Sequence, residues 1–388
     1  MISFSLPHYD LPCKTAVRPV FKDALRSDHI VSNIAREGYT LPDAECIIHV
    51  FAEFKRLLSL FKVKLRKQQE PRGRMDVQTT VLGRTGLRVT VAGLGCGGFS
   101  RIGMEKYGVE HAAGIVRAAF DAGVNFFDTA TVYGTETALG KGLQDFPRDS
   151  YVLSTKFPYR GRNGLKGPDV LVQTLDDSLR ALKTDYIDVY HIHAATAADY
   201  PWVRDTLLPE MLRAKEKGKI RFVGITEQFV EDTTHEMLKL ALPENHFDVV
   251  MTGFNLLNPS AAKSVLPAAV KNNVATLCMF AVRSSLSNPA QLKIDLKRIL
   301  ARGQGGEGLT GDGHALDFLL APGVAKSIME AAYRFCRHTP GITVTLTGTG
   351  EKAHLLDNLR SIEKPPLPKD ALDRLQALFG DVDCVSGQ

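Results

Sequence analysis

The sequence is poor in several features that mark particular classes of protein. It has only six cysteines in 388 residues, and none stands in the Cys-x-x-Cys spacing of a metal or redox motif: Cys13, Cys46, Cys96, Cys278, Cys336 and Cys384. No apolar run approaches the roughly 20 residues that a membrane-spanning helix needs. The N-terminus lacks a basic start followed by an apolar core, so we expect no secretory leader. These absences argue against a disulfide framework, a metal site and a membrane span, and they predict a cytoplasmic protein with free thiols.

The excess of positive over negative charge is confined to one end of the chain. The net charge is +5, and residues 1–75 hold 13 Lys/Arg against 8 Asp/Glu, so the remainder is neutral. A neutral remainder gives no case for nucleic-acid binding. Within residues 1–75, an apolar-rich helical pattern from Cys46 to Phe61 leads into a basic run from Lys62 to Lys67. Two interpretations of this extension stay open: an arm packed on the rest of the protein, or a helix that contacts a partner or a membrane surface.

Strand and helix patterns alternate over residues 76–388. Eight short apolar runs predict strands, and helical patterns separate them: Val91–Gly95, Phe126–Ala130, Tyr151–Lys156, Ile187–His193, Ile220–Thr226, Asp248–Thr252, Ala275–Phe280 and Thr343–Thr347. No Gly-x-Gly-x-x-Gly opens a helix with an acidic residue at the right distance, which disfavours an open dinucleotide-binding sheet. We therefore predict an α/β protein, a (β/α)8 TIM barrel over residues 76–388 with an N-terminal helical extension over residues 1–75.

Two further segments complete this prediction. Thr79 to Val81 and Arg88 to Val89 flank a turn-rich stretch and predict a small β-hairpin before the first barrel strand. Ser285 to Gly323 is long and rich in glycine, so we predict a surface loop there that serves as a substrate lid.

Four polar residues of different chemistry stand at or just beyond the ends of successive predicted strands: Asp128, Tyr133, Lys156 and His193. In a parallel barrel the carboxyl ends of the strands meet at one mouth, where catalytic groups are mounted. A tyrosine hydroxyl is a poor acid at neutral pH, but a nearby ammonium favours the phenolate and a carboxylate paired with that ammonium fixes its position. A histidine beside them would hydrogen-bond to a substrate oxygen. Together the four predict proton transfer to an oxygen as negative charge develops there, as hydride reduction of a carbonyl requires.

Each of the four residues also has a structural interpretation when it is taken alone. Asp128 could cap the following turn, and Tyr133 could be a packing residue. Lys156 could be a solvated charge and His193 an ordinary loop histidine. The catalytic interpretation rests on all four occurring together at strand ends.

Several segments resemble motifs of the aldo-keto reductase superfamily. The stretch from Asp128 to Glu136 is similar to the first family signature, and Lys156 and His193 fall where the family has its lysine and histidine. Gly218 to Ile225 and Phe254 to Leu256 resemble further family motifs. The resemblance covers about Val77 to Ile362. It implies an NAD(P)(H)-dependent oxidoreductase that interconverts a small carbonyl substrate (aldehyde, ketone or sugar) and its alcohol, with the nicotinamide across the barrel mouth.

The same resemblance implies where a cofactor, NADP(H) or NAD(H), would bind. The implied residues are Thr226, Glu227, Met251, Met279, Phe280, Gly348, Gly350, His354 and Asn358. Several depart from the family pattern: Thr226-Glu227 replaces Ser-Asn, Met251 replaces glutamine, and His354 stands where NADPH-preferring members often have arginine. Glu227 is expected to accept from the carboxamide NH2 but could not donate to its oxygen. The choice between the two dinucleotides stays open.

Two other functions stay open at this stage. The altered cofactor positions and the basic extension are compatible with a nucleotide-sensing regulatory subunit that has weak or no turnover. A cofactor-free barrel with isomerase or lyase chemistry is a third class. His191 and His193 form a His-x-His pair, but no third ligand is apparent, so we predict no metal and interpret His191 as a hydrogen-bonded interior histidine.

Overall fold

The computed structural model describes residues 75–388, which form a closed barrel of eight parallel strands. The strands are β1 (Ala92–Gly95), β2 (Phe126–Asp128), β3 (Val152–Phe157), β4 (Ile187–Ala195), β5 (Ile220–Glu227), β6 (Val249–Gly253), β7 (Ala275–Met279) and β8 (Val344–Thr347). They are hydrogen-bonded in chain order, and β8 closes on β1. The predicted barrel is therefore confirmed, and each of the eight predicted strands is present. The helical extension predicted over residues 1–75 falls, except for its last residue, outside the described part of the chain.

Helices follow the strands and cover the outside of the barrel. They are α1 (Met104–Asp121), α2 (Glu136–Leu143), α3 (Pro168–Leu182), α4 (Leu208–Glu216), α5 (Glu236–Glu244), α6 (Leu266–Lys271), α7 (Pro289–Ala301), α8 (Ile328–His338), α9 (Lys352–Ile362) and α10 (Lys369–Phe379). Short helical turns include Thr131–Tyr133, Tyr200–Trp202, Ala261–Ser264 and Ser284–Ser287. Apolar side chains on the barrel-facing side of these helices pack on the strands and form the main core. Among the described residues, no helix is both long enough and apolar enough to span a bilayer.

A small hairpin closes the N-terminal end of the barrel. Strands Thr79–Val81 and Arg88–Thr90 pair antiparallel, as predicted. Leu82 and Val89 belong to the apolar cluster inside the barrel, with side chains from the starts of the strands. Because this end is filled by side chains, a ligand can reach the interior only from the opposite mouth.

The segment Ser285–Gly323 is not the long surface loop that its glycines suggested. It contains most of the turn Ser284–Ser287, the whole of α7 and a 3-10 turn at Asp317–Leu320. The side chain of Asn288 accepts a hydrogen bond from the backbone N–H of Ala290 and so caps α7, and Pro289 occupies its first turn. Leu292, Leu296 and Ile299 are buried in a second apolar cluster. That spacing is a helical signal, which the glycine-rich stretch at its end obscured.

Candidate active site

A buried ion pair lies where β2 and β3 approach the open mouth of the barrel. The ammonium of Lys156 donates to both carboxylate oxygens of Asp128, at 2.7 and 2.6 Å, and to the backbone carbonyl of Thr129 at 2.6 Å. Ser154, paired with Asp128 across the two strands, donates its hydroxyl to the same carboxylate at 2.7 Å. Lys156 is 0% exposed and Asp128 is 3% exposed. The lysine is therefore held in one position by three acceptor atoms.

Tyr133 and His193 lie beside this ion pair. Tyr133 ends the short helical turn that follows β2, and His193 is near the end of β4. The Tyr133 hydroxyl and His193 Nε2 form a hydrogen bond of 3.2 Å, with the two rings edge to face. The Lys156 ammonium lies 5.4 Å from the centre of the Tyr133 ring. The fold thus brings the four predicted catalytic side chains together around the tyrosine.

A glycine leaves room for the tyrosine ring. A Cβ atom on Gly97, in the segment after β1, would lie 2.6 Å from Cε2 of Tyr133. Real Cβ atoms do not approach that closely, so any larger residue would push the ring away. The glycine at this position therefore allows the backbone after β1 to approach the tyrosine ring closely.

Burial is the main influence on the pKa values of Tyr133 and His193. It raises the pKa of the Tyr133 hydroxyl above 10.0, and the nearby Lys156 ammonium opposes the shift without reversing it. Burial, assisted by the Lys156 ammonium, lowers the pKa of His193 to about 3. At neutral pH the tyrosine therefore carries its proton and the histidine is uncharged. The Lys156 effect has the predicted sign, but the desolvation of the phenol outweighs it.

A cavity of about 620 Å³ opens over this cluster. Asp128 and Tyr133 line one part of it, and the wall continues along the segments after β1, β7 and β8 to α8 and α9. Six of the residues expected to hold a cofactor lie in this wall: Met251, Met279, Phe280, Gly348, His354 and Asn358. The Asn358 side chain donates to the hydroxyl of Thr347 at 2.9 Å, which fixes its orientation.

The other three expected cofactor residues do not line the cavity. The Thr226 hydroxyl accepts a hydrogen bond from the backbone N–H of Ala194 at 2.7 Å. Gly350 packs against Gly103, where a Cβ would lie 2.8 Å from the Gly103 backbone. The structure therefore gives these two residues contacts within the protein instead.

Glu227 is occupied by a buried network. Its carboxylate accepts from the backbone N–H of Gly253 at 2.7 Å and the Thr252 hydroxyl at 2.9 Å, and it lies 3.0 Å from Nδ1 of His235. The other ring nitrogen of His235 is 3.0 Å from the Ser260 hydroxyl. With its oxygens used in this way, Glu227 ties the ends of β5 and β6 together. The Glu227 side chain is 0% exposed and these contacts hold it inside the protein, away from the cavity where the sequence led us to expect a hydrogen bond to a nicotinamide carboxamide.

Two residues of the site were missed from the sequence. Ser154 points to the barrel interior two residues before Lys156, and the two-residue period of the strand could have identified it. Arg283 follows β7 closely, so the strand-end rule that selected the other four also applies to it. Its guanidinium lies 3.9 Å from the centre of the Phe280 ring and lines the cavity.

His191 lies one layer deeper in the barrel than His193. It is fully buried, and neither ring nitrogen has a hydrogen-bond partner among the described residues. Our interpretation of His191 as an interior histidine agrees with its burial, but the predicted hydrogen bond is absent. Burial and the nearby Lys156 ammonium lower its pKa well below 6.5, so it is uncharged at neutral pH.

The chain belongs to the aldo/keto reductase family, whose model matches residues 93–379. Among curated proteins it is 29% identical over 208 residues to L-galactose dehydrogenase of Arabidopsis thaliana, a match that covers 52% of this chain and 64% of that protein. It is 30% identical over 221 residues to aldo-keto reductase YhdN of Bacillus subtilis (strain 168), covering 52% of this chain and 61% of that protein. The matched regions thus span less than two thirds of these relatives.

Solved structures of the same family share the fold. Aldo-keto reductase AKR11C1 from Bacillus halodurans, in its holo form, superposes with a TM-score of 0.61 at 23% identity and covers 77% of this chain and 95% of its own. An aldo/keto reductase from Klebsiella pneumoniae, in complex with NADP and acetate, gives a TM-score of 0.56 at 21% identity with the same coverage. These similarities support the barrel independently of the motifs.

Proposed function

We propose that the chain is an NAD(P)(H)-dependent oxidoreductase that interconverts carbonyl compounds and alcohols, with Tyr133 as the general acid and base. The observation that carries this proposal is the arrangement of Tyr133. Its hydroxyl is hydrogen-bonded to His193 at 3.2 Å, beside the buried Lys156–Asp128 pair and in the wall of a large cavity. A protonated phenol beside a fixed cation is suited to give a proton to an oxygen that gains negative charge.

The cavity has the features that a dinucleotide requires. It is about 620 Å³ in volume and extends from Tyr133 to α9. A Cβ atom on Gly348 would lie 2.4 Å from the carbonyl oxygen of Gly95, so the chain after β8 approaches the end of β1 closely. Met279 and Phe280 present apolar surface to the cavity, and His354 and Asn358 present polar groups from α9. A bound nicotinamide dinucleotide would supply or accept the hydride.

Each of the four catalytic residues has a distinct task. The Tyr133 hydroxyl and His193 Nε2 lie close enough together to contact the same substrate oxygen. Tyr133 transfers its proton to that oxygen during reduction and takes it back during oxidation. The Lys156 ammonium stabilises the phenolate that remains, since opposite charges attract strongly at a site removed from water. Asp128 and Ser154 keep the ammonium in place.

Replacement of Tyr133 by phenylalanine tests this assignment. Oxidation of NADH and of NADPH is followed against a panel of aldehydes, ketones and sugars, because one relative is named for the dehydrogenation of a sugar. We expect Tyr133→Phe to abolish turnover of every active substrate while dinucleotide binding, measured by calorimetry, persists. Tyr190→Phe is the matched control, since the Tyr190 hydroxyl is buried and has no hydrogen-bond partner among residues 75–388. Retained turnover in Tyr133→Phe would overturn the proposed role.

The proposal includes a reducing compartment such as the cytoplasm. Cys96, Cys278 and Cys336 are free thiols buried in the described part of the chain. Fractionation of the native protein tests the compartment. The described residues do not bear on a contact between residues 1–75 and a partner or membrane, so that interpretation stays a prediction of the sequence.

A further inference from the structure

The segment that follows α10 packs into the protein beside the cavity wall. We call residues 382–388 the strap. Its two valines, Val382 and Val385, are buried in the second apolar cluster, which also contains Leu286 of the turn Ser284–Ser287. Both ends of that turn line the cavity. The strap and the turn therefore share one apolar core, and the turn carries part of the cavity wall on its other side.

One hydrogen bond joins the strap directly to the turn. The backbone N–H of Ser285 donates to the carbonyl oxygen of Gly387 at 3.1 Å, and the Ser285 hydroxyl donates to Asp295 on α7. The first N–H groups of a helical turn have no acceptor within the turn, and the strap supplies one. Gly387 has a φ of +79°, and a Cβ atom there would lie 3.3 Å from the side-chain nitrogen of Asn255. Glycine allows the strap to reach the turn in this conformation without strain.

Two buried side-chain amides hold the strap from the segment after β6. Asn255 donates to the carbonyl oxygen of Ser386 at 3.0 Å, and Asn258 donates to that of Val385 at 2.9 Å. Both asparagines are buried, at 1% and 0% exposure. A buried amide that loses its acceptor is costly, so the docked position of the strap is strongly favoured. The strap thus connects the segments after β6 and β7.

We infer that the strap positions the turn Ser284–Ser287 in the cavity wall, and that a ligand in the cavity and the docked strap stabilise each other. A wall segment that is already held in place can contact a ligand without first being ordered, so binding is tighter when the strap is docked. Coupling of this kind is reciprocal, and a bound ligand must favour docking by the same factor. The use of a dinucleotide as the ligand in the tests rests on the function proposed above.

Cys384 lies in the strap and reports whether it is docked. Its side chain packs partly against the second apolar cluster, and burial raises the pKa of its thiol. Because the thiolate is the reactive form, alkylation by N-ethylmaleimide should proceed mainly when the strap is undocked. Mass spectrometry of the Cys384 peptide follows the rate with and without saturating NADH or NADPH. We expect a bound dinucleotide to slow it at least about fivefold, the lower end of typical coupling. Cys278, which is fully buried, reports global unfolding.

Gly387→Ala should undock the strap more often and leave the barrel unchanged. A positive φ is costly for alanine, so alkylation of Cys384 and hydrogen exchange of the Ser285 N–H should both become roughly five- to thirtyfold faster. Gly218→Ala is the matched control. Gly218 has a φ of +74° at the end of α4, with nothing within 4 Å of a Cβ, so the variant carries similar backbone strain away from the strap. It should change neither rate.

Val385→Asp tests whether docking of the strap matters for binding. A carboxylate at a position that is 1% exposed would lose its hydration, so the strap should stay undocked. The dissociation constant and KM of the dinucleotide should rise by the factor by which it slows alkylation of Cys384 in the unmodified protein. We expect kcat to change little, because the hydrogen bonds of the strap do not reach the four catalytic side chains. Val270→Asp, at a 61% exposed position on α6, is the control and should leave both constants unchanged.

The possible outcomes separate this inference from the proposed function. If a dinucleotide binds but does not slow alkylation of Cys384, the coupling is refuted and the oxidoreductase proposal stands. Unmodified affinity in Val385→Asp would refute it in the same way. Unchanged exchange of the Ser285 N–H in Gly387→Ala would refute the positioning of the turn, whether or not a dinucleotide binds. If neither dinucleotide binds, the proposed function fails and the coupling to a dinucleotide fails with it.

Discussion

Replacement of Lys156 by methionine removes the cation of a buried ion pair and leaves its carboxylate behind. Methionine is close to lysine in length and adds no charge. Asp128 would keep one hydrogen bond from Ser154 and lose both contacts from the ammonium. Because Asp128 is only 3% exposed, water has little access to replace the lost partner. The change therefore tests whether the site is as enclosed as the structure indicates.

The expected loss of stability is large for a single substitution. Removing one partner of a buried ion pair costs about 3–5 kcal/mol, which for a domain of this size lowers Tm by roughly 5–8 °C. The loss should also depend on pH. Burial already raises the pKa of Asp128 above 3.8, and Lys156 is the strongest influence that opposes this rise. Without the lysine the folded state retains a proton that the unfolded chain releases as the pH rises past 3.8. The variant is thus least destabilised in acid and increasingly destabilised toward neutral pH.

Denaturant unfolding of the two proteins at a series of pH values measures both effects. Lys141→Met is the matched control, because the Lys141–Glu110 pair is on the surface and should contribute no more than about 1 kcal/mol. The double variant Asp128→Asn/Lys156→Met should be more stable than Lys156→Met at neutral pH, since it has no unpaired carboxylate. If Lys156→Met and Lys141→Met lose equal stability, the argument from burial is refuted.

Three further predictions concern the tyrosine, the histidine and the segment after β7. Gly97→Ala should lower kcat by roughly tenfold to a hundredfold, because its Cβ would displace the Tyr133 ring. Gly114→Ala on α1 is the control, since nothing lies within 4 Å of a Cβ there, and it should leave kcat unchanged. Equal kcat values for the two variants would contradict the contact. Since the pKa of His193 is lowered to about 3, kcat/KM should show no inflection from this residue between about pH 5 and 8. An inflection near pH 6.5 that the His193→Gln variant lacks would show that the His193 ring is not desolvated. Asn288→Ala should lower the free energy of unfolding by about 1 kcal/mol, because α7 loses its N-cap; chemical denaturation measures this loss. An unchanged free energy of unfolding would mean that the cap does not stabilise the native fold.

The pattern of the sequence was sufficient for the barrel because each strand is a local feature. A short apolar run with turn signals on both sides remains recognisable without knowledge of its neighbours. The hairpin could also be predicted from a local feature, two short strand segments on either side of a turn-rich stretch. The segment Ser285–Gly323 was predicted wrongly because its glycines outweighed the helical spacing of Leu292, Leu296 and Ile299, whose apolar faces are explained only by the second core that they join.

The same distinction holds for the candidate site. Asp128, Tyr133, Lys156 and His193 could be selected because parallel strands deliver their ends to one mouth, whatever the details of packing. The partners of Glu227 could not be predicted, because Gly253 and His235 reach it through the register of β6 and the course of the segment after β5. The direction in which a carboxylate turns depends on the donors that the fold brings within 3 Å, and these donors lie 8 and 26 residues away along the chain.

The sequence by itself determined the order and type of the elements, and with them the set of polar groups at the strand ends. Only the tertiary structure decided how those groups interact: that burial keeps Tyr133 protonated and His193 uncharged, that Glu227 is used within the protein, and that Arg283 is the one basic side chain in the described cavity wall. The reason is physical. Strand and helix patterns arise from neighbours along the chain, whereas desolvation and charge pairing arise from neighbours in space.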